Sequence, residues 1–503
     1  MTPKDLVVFE TLKVHQLAVE PKKVKAKYSL TLKDGSVVSN ELIYSYNNPY
    51  FNTKAAEDIN MASLIVVQVA MNYGLFCKTL TFDGLYDETD KRFILDMIEN
   101  TSKEIVVNKF LFKNEFLKPP FDALHIEKQE RYTNAEVVFE NTQFANITVP
   151  QSITTTLENE YAILSSGGKD SLLTYGIIKE IGVAHPVFVN ESGRHWFTAI
   201  NAHKYFQQYE PNTAKPWCNS DRIFNWMVKQ MPFIKENFQN IRSDMYPIRL
   251  WTVAVFLFGV LPIARKRRVG HILIGNEFDT TVKYNHNGIS HYNGLYDQSK
   301  YFDNALTRYY HKKGWNISQY SILRSLSELL ILKVLVKRYP ELQKHQVSCH
   351  AAHEENGRML PCGKCEKCRR IVGMLTALDE DPKRCGYTNA QIEWSLKALA
   401  EHKIKQIGSD AAHLYHLLVE KGAVQKNVHT SRLAKAHPQI MRLRFDNERS
   451  KLEDLPKRIR KELVDIVLPY SDGISVQRDK KWHSIALKDL SFDIPYIPLK
   501  TKT

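Results

Sequence analysis

The hexapeptide Ser166-Gly167-Gly168-Lys169-Asp170-Ser171 follows the apolar run Tyr161-Ala162-Ile163-Leu164 and precedes a helically spaced stretch that ends at Gly182. Two glycines after a strand let the backbone come close to a phosphate group. The next helix offers free N–H groups and the positive end of its dipole. Ser171 can add a hydroxyl donor, and Asp170 can help to hold a magnesium ion. The spacing is neither GxxxxGK[ST] nor GxGxxG. A plain Gly-rich turn with a serine cap is the bland alternative. The coincidence of strand, both glycines and flanking serines argues for a phosphate site instead.

A second group is Cys349, Cys362, Cys365 and Cys368, the last three in Pro-Cys-Gly-Lys-Cys-Glu-Lys-Cys. Thiolates two residues apart on a tight loop can face one metal, and Gly363 permits the turn. Four thiolates make a closed tetrahedral zinc site of structural type. The same ligands could hold an iron–sulfur cluster, and His350 or His353 could take the place of Cys349. Cys77, Cys218 and Cys385 have no partner spacing.

The third group runs from Glu277 to Asp303. It contains Glu277, Asp279, Lys283, His286, His291, Asp297, Gln298, Lys300 and Asp303, among four tyrosines. It offers carboxylates for magnesium and His or Lys for proton transfer. Glu277 is nearest the end of the preceding apolar run and is the best single candidate. A long solvated loop is the competing reading. Arg194 and His195 follow another apolar run and are weaker candidates. The segment 216–227, with two Trp and a Cys, reads as core, and Arg265-Lys266-Arg267-Arg268 as a solvated helix end.

Positioning these groups requires particular elements. The order apolar run, Gly loop, helix, then His185-Pro186-Val187-Phe188-Val189 is that of a βαβ unit in a parallel sheet. Val269 to Glu277 repeats the pattern of an apolar strand that ends in polar residues. Ligands in open parallel sheets sit beyond the carboxyl ends of the strands, where both polar clusters fall. Upstream, Lys25 to Tyr46 alternates apolar and polar residues around Asp34-Gly35, a hairpin signal. Residues 55–76 read as more helical. The expected architecture is α/β: a doubly wound parallel sheet, an N-terminal α+β domain and a zinc-stapled C-terminal part. The expected domains are 1–150, 151–400 and a basic extension, 401–503.

Composition narrows the class. The chain has 503 residues, 43% hydrophobic and 25% charged, which excludes disorder, collagen and coiled coil as the dominant form. Leu250 to Ala264 is the longest apolar run and falls short of the roughly 20 residues of a bilayer crossing. It reads as a buried helix. The first residues have no apolar core of signal-peptide type. With seven Cys, the chain is no disulfide scaffold, and a reducing cytoplasm is the expected compartment. The net charge is +14, and residues 401–503 hold 20 basic against 13 acidic residues. No nucleic-acid-binding motif accompanies that excess, so nucleic acid is open but not favoured as a partner.

The loop Ser166–Ser171 resembles the pyrophosphate loop of the N-type ATP pyrophosphatase superfamily. That resemblance implies ATP cleaved between its α- and β-phosphates, and a substrate activated by AMP. It implies that Ser166, Gly167, Gly168, Asp170 and Ser171 hold the pyrophosphate end, with Lys169 as a charge partner. Loop and cysteines together are similar to the 7-cyano-7-deazaguanine synthase family. The layout is closer to the ATP-dependent UDP-N-acetylmuramoyl-L-alanyl-L-glutamate epimerase family. There the loop precedes a segment like Gly275-Asn276-Glu277-Phe278-Asp279-Thr280, then one like His291 to Lys300, then Cys-Gly-Lys-Cys-Glu-Lys-Cys-Arg.

The resemblance implies a mechanism with ATP and Mg²⁺ on residues 166–171 and Zn²⁺ on the cysteines. Lys169, Asp170 and Glu277 are the expected catalytic residues. A substrate carboxylate, on a small molecule or a nucleotide-sugar peptide, is adenylated. A base then removes and returns the α-proton, giving an epimer in a peptidoglycan precursor. Alternatively a nitrogen nucleophile displaces AMP, giving an amide or nitrile. A nucleotide-dependent modification of tRNA is a further expectation.

Overall fold

The computed structural model describes residues 3–150, 153–241, 246–406 and 408–499. In chain order the strands that matter are β1 (Phe9–Glu20), β2 (Lys23–Leu32), β3 (Val37–Ser45), β4 (Cys77–Asp83), β5 (Glu136–Glu140), β6 (Leu157–Leu164), β7 (Val183–Val187), β8 (Trp217–Cys218), β9 (Val269–Leu273), the hairpin β10 (Lys283–His286) and β11 (Ile289–Tyr292), and β12 (Ser318–Tyr320). They form a mixed sheet in the order β5-β4-β1-β2-β3-β8 and a parallel sheet in the order β12-β9-β6-β7.

The mixed sheet follows from its alternation. Val24, Ala26, Tyr28 and Leu30 of β2 are buried on one face, as the period of two requires. The expected hairpin joins β2 to β3 in antiparallel register. At its turn Gly35 takes φ +82°, a left-handed conformation that favours glycine. The apolar stretch after residue 55 forms the helix Ala56–Val67, with nine of its residues buried.

The parallel sheet carries the expected βαβ unit: β6, the helix Lys169–Ile181, then β7 in parallel register. Tyr161 and Ile163 point into a cluster with Leu172 and Ile177 of that helix and Leu330 of the helix Glu328–Arg338. Ala162 and Leu164 point the other way, into a cluster with Leu257 and Leu261 of the helix Val253–Lys266. Both faces are therefore covered, which explains why β6 reads as a continuous apolar run rather than an alternating one. From β6 the chain goes to β7 on one side and later to β9 on the other. Their connections diverge and leave a crevice at the carboxyl ends of β6 and β9.

The helix Val253–Lys266 joins the two sheets. Tyr46, just after β3, donates to the Gly259 carbonyl at 3.0 Å, and Val269 and Ile272 of β9 share its apolar cluster. It is the long apolar run, and among the described residues no helix is long and apolar enough to cross a membrane. The basic run at its end is solvated only at Lys266 and Arg268. Arg265 bonds Glu57 at 3.0 Å, and Arg267 bonds the Asn212 carbonyl at 2.5 Å. In the segment 216–227, Cys218, Ile223, Phe224 and Met227 are buried in the core.

Residues beyond 400 pack on the rest of the molecule. The helix Gly408–Glu420 shares a core with the helix Glu366–Ala377. The helix Lys457–Val467 and the strands Leu443–Phe445 and Ile474–Arg478 share one with the helix Lys169–Ile181. Two cations of the basic excess, Arg444 and Arg460, are buried. Arg460 donates to the carbonyls of Leu455 and Phe492.

Candidate functional site: a cleft at the strand ends beside a four-cysteine group

A cavity of about 370 Å³ opens at the ends of the parallel strands, within the size range of small-molecule sites. Leu164 of β6, Val187 of β7 and Ile274 after β9 line it, with Ser166, Gly168, Lys169, Asp170 and Ser171 of the loop. Gly168 caps the helix Lys169–Ile181, so its first turn of backbone N–H groups opens on the cavity. Ser171 Oγ donates to the Gly168 carbonyl at 3.1 Å and lies 3.2 Å from Ser165 Oγ.

The two loop glycines differ. Gly167 takes φ +73°, and a Cβ there would meet the Thr198 carbonyl at 2.4 Å. It does not line the cavity, and its carbonyl accepts from Val347 N–H at 3.2 Å. Gly167 therefore seats the loop on the helix His195–Tyr209. A Cβ on Gly168 would meet only Ser166 Oγ at 3.6 Å, which leaves that peptide open to the cavity. Gly275 is needed for a further close approach, because a Cβ there would lie 2.7 Å from Asp170 Cβ.

Lys169 is buried among carboxylates. Its Nζ lies 2.7 Å from Asp170 Oδ1, 3.2 Å from Glu277 Oε2 and 3.3 Å from Glu328 Oε1. Burial works against its charge, but the three acids outweigh it and raise its pKa. Burial alone would raise Glu328, yet Lys169 and Arg370 pull it down to about 2. Glu277 is held well above its ordinary value by burial, against the pull of Lys169. Burial and the charges of Asp410 and Glu328 push Asp279 up to about 7. The carboxylates of Asp170, Glu277 and Glu328 are oxygen donors at this end, and of these Asp170 and Glu328 line the cavity, where a hard cation could sit.

The rest of the third group divides. Gln298 lines the cavity, whereas Glu277 stands behind Lys169 and does not. Asp297 accepts from Val253 N–H at 3.0 Å, Lys300 pairs with Asp454 at 3.0 Å, and Asp303 pairs with Arg324. His286 and His291 pack against Phe112 on the β10–β11 hairpin, and Lys283 lies over Tyr301. These residues hold the segment in place and do not line the cavity.

A second polar end of the cavity contains Glu191, His195, Ser348, His350 and Lys367. Glu191 is 4% exposed, and burial with Asp221 nearby pushes its carboxyl up to about 7. Burial, with the positive character of His350 and Arg249 adding to it, holds His195 well below its ordinary pKa. Its Nε2 shares a hydrogen bond with the Tyr246 hydroxyl, and its ring centroid is 4.4 Å from that of His350. Arg194 is exposed.

The four cysteines converge. Their sulfurs all lie within 4.8 Å of one another, with Cys365 3.6 Å from Cys349 and 3.5 Å from Cys368, and Cys362 3.8 Å from Cys368. Four thiolates about 2.3 Å from one tetrahedral ion stand roughly 3.8 Å apart, so the set fits a single metal such as zinc. Cys349 is the fourth member. His353 lies on an exposed strand, and His350 faces the cavity. Gly363 takes φ +69° between the thiols, and a Cβ there would meet Gln391 at 2.4 Å. Cys77, Cys218 and Cys385 are buried apart from the group.

No protein-family model matches this chain, and no curated protein or solved structure matches it significantly. The site therefore rests on its own geometry. Reading the sequence missed Glu191, Glu328, Lys367 and Arg370. Lys367 was in plain view inside the cysteine motif, and Arg370 stands two residues after its last cysteine. Glu328 follows Ser327, whose side chain caps the helix that comes next after β12, and a carboxylate at that helix start was a usable signal.

Proposed function

We propose that this chain is an ATP-dependent adenylating enzyme of the N-type ATP pyrophosphatase kind, on a doubly wound parallel sheet. The observation that carries the reading is the convergence of the loop Ser166–Ser171, the ends of β6 and β9 and one cavity of nucleotide dimensions. The N–H groups that open the helix Lys169–Ile181 hold the pyrophosphate of ATP. Asp170, at the cavity lining, would hold magnesium, and Glu277 behind it helps to fix Lys169. The four cysteines hold zinc in a structural role. A substrate carboxylate oxygen attacks the α-phosphorus, and its bond to pyrophosphate breaks. The fixed dipoles of the loop stabilise the leaving charge. The reading places this work in the cytoplasm, with a carboxylate-bearing small molecule or nucleotide-sugar peptide as substrate.

The fate of the mixed anhydride follows from the second polar end. Glu191 takes the acidified α-proton and the electron pair passes to the carbonyl oxygen; a water on the other face then protonates the carbon as the pair returns, and Glu191 gives its proton to the hydroxide left behind. Water then releases AMP and the epimerised glutamyl acid of a peptidoglycan precursor. Glu277 is not the base in this scheme, because Lys169 engages it outside the cavity lining. The decisive assay is product analysis with ATP: AMP and pyrophosphate are expected, and ADP with phosphate refutes the superfamily.

Reaction in D₂O is expected to place deuterium on the α-carbon. Exchange should rise with pH through about 7, as Glu191 loses its proton. Glu191→Gln should release pyrophosphate but exchange at least ~100-fold more slowly. An unlabelled α-carbon with a requirement for an amine would instead assign amide or nitrile formation.

A further inference from the structure

Glu191 stands on a turn that a backbone does not adopt freely. It follows the end of β7, and the next residue, Ser192, takes φ +65°, a left-handed conformation that is uncommon outside glycine. Two hydrogen bonds hold the turn. Ser192 N–H donates to Asn190 Oδ1 at 3.0 Å, and Ser192 Oγ donates to the Cys218 carbonyl at 3.0 Å. Strain of this kind persists only where the surroundings fix it, and it clusters at functional sites. The turn sets Glu191 against the helix Ser220–Lys229, where Asp221 N–H donates to the Glu191 carbonyl at 3.4 Å. A Cβ on Gly193 would meet Asp221 Cγ at 2.8 Å and Glu191 Oε1 at 3.0 Å. The two carboxyl groups therefore flank one point, and glycine leaves them room.

Arg249 is the third member of the group. It is buried and lines a narrow recess together with Glu191 and His195. Its guanidinium carbon lies 3.6 Å from the ring centre of Tyr246 and 4.9 Å from that of Phe224. Its Nη1 donates to Asp221 Oδ1 at 2.6 Å, and Asn225 Nδ2 donates to the other Asp221 oxygen at 3.1 Å. Cys218, Tyr246 and His195 also lie near Glu191, but burial keeps them uncharged at neutral pH, by raising the first two and lowering the third. We propose that Asp221 is a positioning residue for Glu191: by holding Arg249, it keeps that cation from pairing with the base. The proposal rests on the role given to Glu191 above. The direction of the effect follows from charge. Asp221 repels a negative charge on Glu191, and Arg249 attracts it. Asp221→Asn removes the repulsion and releases Arg249 towards Glu191. Both changes favour the carboxylate, so Glu191 should ionise at lower pH.

The test is an infrared pH titration of the metal-loaded full chain, in which the protonated Glu191 carboxyl is the band that Glu191→Gln removes. Asp221→Asn is expected to lower the midpoint of that band by at least ~1 pH unit. The double variant Asp221→Asn with Arg249→Gln should return it to within about half a pH unit of wild type, because neither charge remains. An ion pair with a purely structural role gives no such reversal. The midpoint of deuterium exchange should move with the carboxyl. A midpoint unmoved in Asp221→Asn overturns the proposal, as does one lowered equally in the double variant. The titration needs no substrate, so its failure is distinct from that of the proposed reaction. Exchange that does not follow a moved carboxyl overturns Glu191 as the base instead.

Discussion

Asp170→Ala is expected to lower pyrophosphate release from ATP by about 10²–10³, the scale of losing one preorganised group that acts on the developing charge, here through the magnesium it would hold. The fold should survive. Asp170 sits in the first turn of its helix, where its charge adds roughly 0.3–1 kcal/mol through the helix dipole. Its backbone carbonyl, which accepts from Thr174 Oγ1 at 2.8 Å, is untouched. The loss falls on charge balance. Lys169 would keep Glu277 and Glu328 and turn from the cavity towards them. The cavity would then lack the carboxylate of the phosphate loop itself, which can present magnesium to the phosphates. Asp170→Asn is the sharper variant, since it keeps the volume beside Gly275, where space is tight. Rates near wild type for either variant, at unchanged Tm, would remove Asp170 from the chemistry.

The sequence made the loop and the thiols legible because each is contiguous, and its spacing is a local geometric demand. A phosphate-type turn needs its glycines within a few residues, and the metal group needs thiols on one tight loop. The βαβ unit was legible for the same reason, since strand, turn and helix follow one another. What was hidden depends on contacts distant in sequence. Glu328 meets Lys169 across 159 positions, and β8 joins the mixed sheet from beyond residue 200. Charge counting saw a basic tail after residue 400 but could not see Arg444 set against the ring of Phe278, 3.8 Å away, in the core. The Glu277–Asp303 segment shows the opposite error. Its titratable residues looked like a catalytic array, yet most are engaged in ion pairs, caps and ring contacts that fix the segment. Residue type signals chemistry only when the fold leaves the group facing a cavity.

Cys365→Ser is expected to abolish stoichiometric metal, where the wild-type chain should carry about one zinc. The serine hydroxyl is a poor replacement for a thiolate towards a borderline-soft ion. Cys365 is the sulfur between the others, 3.6 Å from Cys349 and 3.5 Å from Cys368. Its loss leaves three thiolates and an open fourth position, which weakens the hold on the ion. The energetic effect should spread, because Cys349 and Cys368 belong to one apolar cluster with Leu375, Leu414 and Tyr415. Structural zinc contributes about 10–16 kcal/mol to isolated finger peptides, whereas here that cluster shares the task of holding the segment. Losing only ~2 kcal/mol from a unit of 150–250 residues lowers Tm by roughly 4–8 °C, and at least that is expected. Cys385→Ser is the control. Cys385 is buried in the same apolar cluster and accepts from Gln343 Nε2 at 2.7 Å, outside the group. It should retain the metal even where it loses some stability. Elemental analysis decides the matter independently of activity: protein purified without chelators that contains no metal, or a Cys365→Ser variant that retains one equivalent, would refute the four-thiolate site.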